Sequence, residues 1–210
     1  MYLVKTPWWL RALYPQLVWR KPASGKVLYL SFDDGPHPTA TPFVLNTLQQ
    51  YGAKASFFCI GKNVLLYPDI YARIKSEGHA VGNHTMHHVN GWKTDDALYL
   101  NDVRQAAALI PTGLFRPPYG RIRRTQIKEL LNYSVLNDHG APQIIMWDVL
   151  SGDFDLKLSP EGCYSNLLRN AESGSIIVFH DSAKAWDRMS YALPKLLAHF
   201  SEKGYQFQSL

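Results

Sequence analysis

Residues 27–36 read VLYLSFDDGP. Six residues run from Val27 to Phe32 with almost no polar interruption, and two carboxylates and a turn follow at once. A nearly continuous apolar run of this length suits a parallel strand covered on both faces. Ser175–Phe179 repeats the pattern and ends at His180 and Asp181. Five further short runs lie around these two: Ala55–Ile60, His79–Gly82, Leu114–Phe115, Gln143–Val149 and Tyr205–Leu210. Successive runs stand about 25–35 residues apart, which leaves room for one helix in each interval. The order is strand–helix repeated six times and a terminal strand, an α/β chain forming one domain. A doubly wound sheet and a closed barrel both satisfy that order.

The intervals carry helix punctuation. Thr41 and Pro42 read as a cap and a first-turn proline, and Gly52 as the stop. A second helix starts near Pro68, buries Ile70 and Ile74, and ends at Gly78. Thr94 reads as the cap of a third, with Asp95 and Asp96 in its first turn and its end near Ile110, before Pro111. A fourth spans 125–137, with Ile127, Leu130, Leu131 and Ser134 on one side. SPEG at 159–162 opens a fifth that buries Leu167 and Leu168 and stops at Gly174. The last carries Leu193, Leu196 and Leu197 and closes at Gly204, with Pro194 predicting a late start.

Composition bounds the function. With 46% hydrophobic and 19% charged residues over 210 positions, the chain buries roughly 70% of its surface on folding and is not disordered. Two cysteines make neither a disulfide framework nor a thiolate cluster, and Cys59, inside ASFFCI, reads as a buried small hydrophobe. The net charge of +5 comes from scattered residues with one tight cluster, RIRR at 121–124, which argues against nucleic acid as the partner. No apolar stretch is long enough to span a bilayer. The start lacks an uninterrupted apolar core and a cleavage site, which predicts a cytoplasmic protein. Residues 1–25 read as an N-terminal arm on a catalytic domain of residues 26–210. Within the arm, 7–21 places Trp8, Trp9, Leu10, Leu13, Leu17, Val18 and Trp19 beside Arg11, Arg20 and Lys21. Two expectations follow: the arm rests on the inner membrane surface as a peripheral contact, or its aromatics close the bottom of the fold. Oligomeric state is not written in the sequence.

The chemistry-bearing residues gather where strands hand over to loops. Asp33 and Asp34 follow the first strand, His84 and His88 the third, Arg116 the fourth, Asp148 and Asp153 the fifth, and His180 and Asp181 the sixth. Ligand sites of α/β folds lie beyond the C-terminal strand ends, so one shared site is expected. Adjacent carboxylates after an apolar run repel unless a cation or proton relieves them; a plain solvent-exposed turn is the alternative. In NHTMHH, His84 and His88 at i, i+4 share the face of a helical turn, whereas His87 points away. With one carboxylate they form a two-histidine, one-carboxylate set for a divalent ion. In FRPPYG, Arg116 can clamp a carboxylate, and the N–H of Tyr119 stands out beside two prolines that have none.

The motifs SFDDGP, NHTMHH, RPPYG, WDVLSGDF and IIVFHD, in this order, resemble those of the polysaccharide deacetylases with the NodB homology domain, also called carbohydrate esterase family 4. The resemblance covers Val27 to the C-terminus and implies a deformed (β/α) barrel with seven strands. It implies Asp33 as catalytic base, Asp34, His84 and His88 as metal ligands, and Arg116 as the residue orienting the base. It further implies the Tyr119 N–H as oxyanion donor, Asp153 as the acidic support of the site and His180 as general acid. The implied reaction is hydrolysis of an N-acetyl group on an amino sugar of a glycan, releasing acetate. The implied cofactor is one divalent ion, which the nitrogen-rich ligand set makes zinc (Zn2+), with cobalt (Co2+) or nickel (Ni2+) as substitutes. Phe154 stands where the family usually has tryptophan, so the substrate wall departs from the pattern. Hydrolysis of O-acetyl esters, a non-catalytic carbohydrate-binding protein and a metallophosphatase are the alternative readings.

Overall fold

The central strand, β1 (Val27–Asp33), shows why its sequence is continuous. Leu28, Leu30 and Phe32 point to one face and join the main apolar core, whereas Ser31 and Asp33 point to the other and are also buried. The alternation is the ordinary period of a strand, and both faces are covered. The computed structural model describes residues 2–22, 25–132 and 142–210.

Parallel neighbours extend on both sides of β1. β2 (Ser56–Cys59), β3 (Ala80–Asn83), β4 (Leu114–Phe115) and β5 (Gln143–Ile144) follow in order on one side. β7 (Ile176–His180) and β6 (Val149–Leu150) lie on the other, and β8 (Gln206–Gln208) pairs with the start of β1. Phe32 stacks on Phe57 of β2 and Phe179 of β7 at 5.1 and 5.7 Å, tying the three middle strands together on their outer face. The inner face is narrow, filled by Phe58, Ile145 and Ile176 with Tyr29 and Leu114 against them. This is the curled, incomplete barrel of the resemblance and not a doubly wound sheet. Gln143–Val149, expected as one strand, is two: β5 pairs with β4 at one edge of the sheet, and β6 with β7 at the other.

The arm lies across the join between those edges. Val18 pairs with Ile145 and Lys5 with Val149, while Thr6 N–H donates to the Asp148 carbonyl at 2.8 Å. Leu17 and Trp19 are buried in a second core cluster with Phe115, Ile144 and Met146. Its short helix α1 (Trp8–Leu13) is different. It buries none of its residues, and Trp8 is 73% exposed.

The remaining helices are α2 (Ala40–Gln50), α3 (Gly61–Leu66), α4 (Pro68–Ser76), α5 (Asp96–Ala107), α6 (Arg124–Asn132), α7 (Pro160–Asn170) and α8 (Trp186–Glu202). Several expectations change. The interval between β2 and β3 holds two helices, α3 and α4, and Ile70 is only half-buried while Tyr71 and Ile74 are buried. Thr94 does not cap α5; Asp95 does, accepting from the Ala97 N–H at 2.9 Å. Thr41 lies inside α2 with its hydroxyl turned to Asp181, and the imidazole of His37 accepts from the Ala40 N–H instead. Pro194 sits within α8 and does not delay it. An interior proline costs about 3 kcal/mol, less than the burial of Leu193, Leu196 and Leu197 at about 1.5–3 kcal/mol each. Ser134 and the end of the expected fourth helix lie outside the described residues.

Candidate active site

Asp33 ends β1 on the inner face, and the guanidinium of Arg116, just after β4, crosses the barrel to meet it. Nη1 of Arg116 donates to Asp33 Oδ1 at 2.6 Å and to Ser31 Oγ at 2.8 Å. Nε and Nη2 donate to the carbonyls of Ile145 and Met146, and the guanidinium lies 4.0 Å above the Phe58 ring. Arg116 has no exposed surface. A buried cation of this kind is tolerable only because its donors and charge are met. The arrangement holds one oxygen of Asp33 and leaves the other without a hydrogen-bond partner among the described residues.

Asp34, His84 and His88 converge beside it. His88 Nε2 lies 3.2 Å and His84 Nε2 3.8 Å from Asp34 Oδ1. One ligand atom from each of the three falls within 4.8 Å of the others. Asp34 Oδ1 is buried without a hydrogen-bond partner, an acceptor awaiting a cation. His84 Nδ1 donates to the Arg116 carbonyl at 2.8 Å, which fixes its tautomer and leaves Nε2 a lone pair. Burial pushes His84 down to about 4, outweighing the pull of Asp33, so the ring is neutral as a ligand must be. Burial raises the Asp34 carboxyl, but His88, His180 and His84 prevail and hold it below the usual carboxylate range. These residues fit a divalent ion. The histidines do not share a helical turn, however. Residues 84–88 form an irregular loop in which Thr85 and His88 have φ of 64° and 59°. Positive φ at a residue with a side chain is strained, and Asp34 (81°) and Tyr119 (60°) share it. All four positive-φ residues other than glycine among the described residues thus surround one point, where such strain commonly concentrates.

On the opposite side His180 ends β7, in register with Asp33 of β1. Its Nδ1 donates to Asp153 Oδ1 and its backbone N–H to Oδ2, both at 2.7 Å. Burial alone lowers an imidazole, but the carboxylate of Asp153 outweighs it and pushes His180 up to about 10. Nε2 is therefore a proton donor at neutral pH. Phe154 meets the His180 ring edge-on at 5.3 Å and is itself covered by Tyr2 at 4.9 Å. Across the opening, Pro118–Gly120 form a 3₁₀ turn in which Tyr119 is exposed, its hydroxyl 3.1 Å from His88 Nδ1. The Tyr119 N–H donates to no acceptor among the described residues.

Comparisons with known proteins give the family. A family model described as polysaccharide deacetylase matches residues 20–136. The chain belongs to the polysaccharide deacetylase family. A peptidoglycan-N-acetylglucosamine deacetylase of Bacillus cereus is 32% identical over 197 residues, covering 91% of this chain and 89% of that protein. A chitooligosaccharide deacetylase of Azorhizobium caulinodans is 32% identical over 205 residues, covering 87% and 92%. The crystal structure of the Bc1960 peptidoglycan N-acetylglucosamine deacetylase matches with a TM-score of 0.83 at 30% identity, covering 93% of this chain and 91% of that one. The chain is a metal-dependent carbohydrate deacetylase.

Not every strand-end residue belongs to the deacetylase site. Asp148 precedes β6 at the opposite end of the sheet, where Lys5 and Ser175 donate to it at 2.8 and 2.6 Å. Arg20 and Arg11 lie 3.6 and 3.9 Å from it. It anchors the arm. His87 Nδ1 turns to Asp102 at 2.6 Å and braces the ligand loop from outside. Cys59 is buried and its thiol raised by burial. Sequence reasoning missed the supports of the Asp33–Asp34 turn. Asn63 of α3 donates to the Asp34 carbonyl at 2.7 Å, and buried Asp181 accepts from the Gly35 N–H at 3.1 Å and from the Thr41 hydroxyl. A Cβ on Gly35 would fall on the Asp181 carboxylate, so this position takes glycine.

Proposed function

We propose that the deacetylase removes N-acetyl groups from N-acetylglucosamine units of a cell-envelope glycan or its precursor, with zinc held by Asp34, His84 and His88. Zinc bound there supplies Lewis-acid polarisation of the acetamide carbonyl and a more acidic water. The Asp33 oxygen that Arg116 leaves free takes a proton from the attacking water. The Tyr119 N–H, held outward by its turn, donates to the developing oxyanion. His180 delivers the Nε2 proton to the sugar nitrogen as its bond to the acetyl carbon breaks, so acetate and a free amine leave. Asp153 keeps that proton in place. The carrying observation is the pairing across the rim of a carboxylate fixed by Arg116 and a histidine fixed by Asp153, with the ligand triad beside them. Acetate release from N-acetylglucosamine oligosaccharides, peptidoglycan fragments, lipid-linked acetylated sugars and acetylxylan tests it. Activity confined to the ester substrate would favour O-acetyl hydrolysis, and none on any substrate would favour carbohydrate binding alone.

We infer in addition that the exposed face of α1, within residues 7–21, rests on a membrane surface. Trp9 and Leu13 are both 52% exposed beside Trp8, on a chain of net charge +5. Exposed tryptophans on a basic chain suit the headgroup region of an anionic bilayer. Co-sedimentation with anionic vesicles at low salt is expected for the unaltered chain and lost in a Trp8→Ala/Trp9→Ala variant. Equal behaviour of the two would leave these side chains without that role.

A further inference from the structure

A second concave feature opens beside the catalytic rim. A cavity of about 240 Å³ is lined by His37, Thr39, Ala183 and Trp186. His37 and Thr39 lie on the loop leaving β1, which carries Asp34; Ala183 lies on the loop that follows His180, the last residue of β7, and Trp186 opens α8 at the end of that loop. Asp181 fastens the two loops together through Gly35 and Thr41. The cavity is thus built from the same two segments as the catalytic centre and sits at the same end of the barrel.

Its chemistry is specific. The Trp186 indole is held by an edge contact from Phe43, with ring centres 5.3 Å apart at 71°. His37 Nδ1 accepts from the Thr39 and Ala40 N–H groups at 3.2 and 3.1 Å, so that nitrogen carries no proton and Nε2–H is the donor. That N–H has no acceptor among the described residues. A rigid aromatic face with one oriented N–H donor matches a pyranose ring, which offers an apolar C–H face and hydroxyl or acetamide oxygens at its edge. The volume is below that of a drug-sized pocket and suits a single ring.

We propose that this cavity is an outlying subsite for a further sugar residue of the glycan, stacked on Trp186 and hydrogen-bonded by His37 Nε2. The proposal rests on the glycan reading above and adds that the enzyme prefers chains over short fragments.

The test compares kcat/KM for N-acetylglucosamine di- and pentasaccharides. The unaltered protein is expected to favour the pentasaccharide, by about threefold to tenfold if one aromatic contact carries the gain. Trp186→Ala should abolish the ratio, His37→Ala should reduce it, and Trp186→Phe should keep most of it. A ratio near one in the unaltered protein, or an unchanged ratio in Trp186→Ala, overturns the subsite. If Trp186→Ala does not fold, Trp186→Leu, which keeps bulk but not the flat face, takes its place with the same expectation. If the unaltered protein releases acetate from neither sugar, the catalytic reading fails separately. Calorimetric titration with the pentasaccharide then decides the subsite: weaker binding by Trp186→Ala supports it, and equal or absent binding overturns it.

Discussion

His180 and Asp153 show how one pair sets a proton's availability. Burial would leave His180 neutral, and it is the Asp153 carboxylate, holding both Nδ1 and the backbone N–H, that keeps the ring charged. In Asp153→Asn that charge is gone, so burial prevails and the pKa of His180 falls. The alkaline limb of the rate profile should then move to lower pH, by about one unit or more; a limb that stays in place would assign it to another group. The pair also contributes to stability with a definite sign. The folded value, about 10, lies above the ordinary 6.5, so its contribution is complete below about 6.5 and is lost as pH rises toward 10. Urea denaturation at several pH values should show that loss in the unaltered protein and little of it in Asp153→Asn. Arg116→Lys is a second discriminating change. Lysine cannot reproduce donors to Asp33, Ser31 and two carbonyls at once. A stability loss of about 1–3 kcal/mol from unmet buried groups, together with a fall in kcat, is expected from denaturation and kinetic measurements.

Among the elements, the strands were the most legible, because parallel strands covered on both faces write themselves as apolar runs. The seven expected runs match the observed strands except at Gln143–Val149. There the break arises from pairing with different neighbours, which local pattern cannot encode. The candidate site residues are legible as types at strand ends, and the motif order supplies the roles proposed for them. Their geometry is not. His84 and His88 converge through left-handed backbone at Thr85 and His88, and no i, i+4 rule describes that. Asp148 misled for a related reason: it stands beside a strand, but at the opposite end of the sheet, where Lys5, Arg11, Arg20 and Ser175 surround it. Its role is to fasten the arm across the join between β5 and β6. Asp148→Ala should therefore cost about 1–3 kcal/mol, lowering the melting temperature by a few degrees for a domain of this size. Amide exchange should quicken selectively at Val4–Thr6. An unchanged melting temperature would show that the arm is held without the Asp148 carboxylate.

The whole molecule separates a rigid base from a working rim. The fully buried cluster around Phe32, Phe57 and Phe179 lies on the outer face of the sheet, while the candidate ligands are loop residues at the strand ends. Chelation should accordingly lower the melting temperature by mass action yet leave the far-ultraviolet dichroism unchanged; global unfolding on chelation would contradict that separation. The central claim is that neighbouring carboxylates divide the labour, Asp34 holding the metal and Asp33 moving the proton. The most direct measurement is metal content per chain alongside acetate release from an N-acetylglucosamine oligosaccharide, made on the unaltered protein, Asp33→Asn and Asp34→Asn. The account predicts one bound ion and a rate lower by about 100-fold or more in Asp33→Asn, with both metal and rate lost in Asp34→Asn. Equal loss of metal in the two variants, or an Asp33→Asn enzyme that keeps most of its activity, would contradict it.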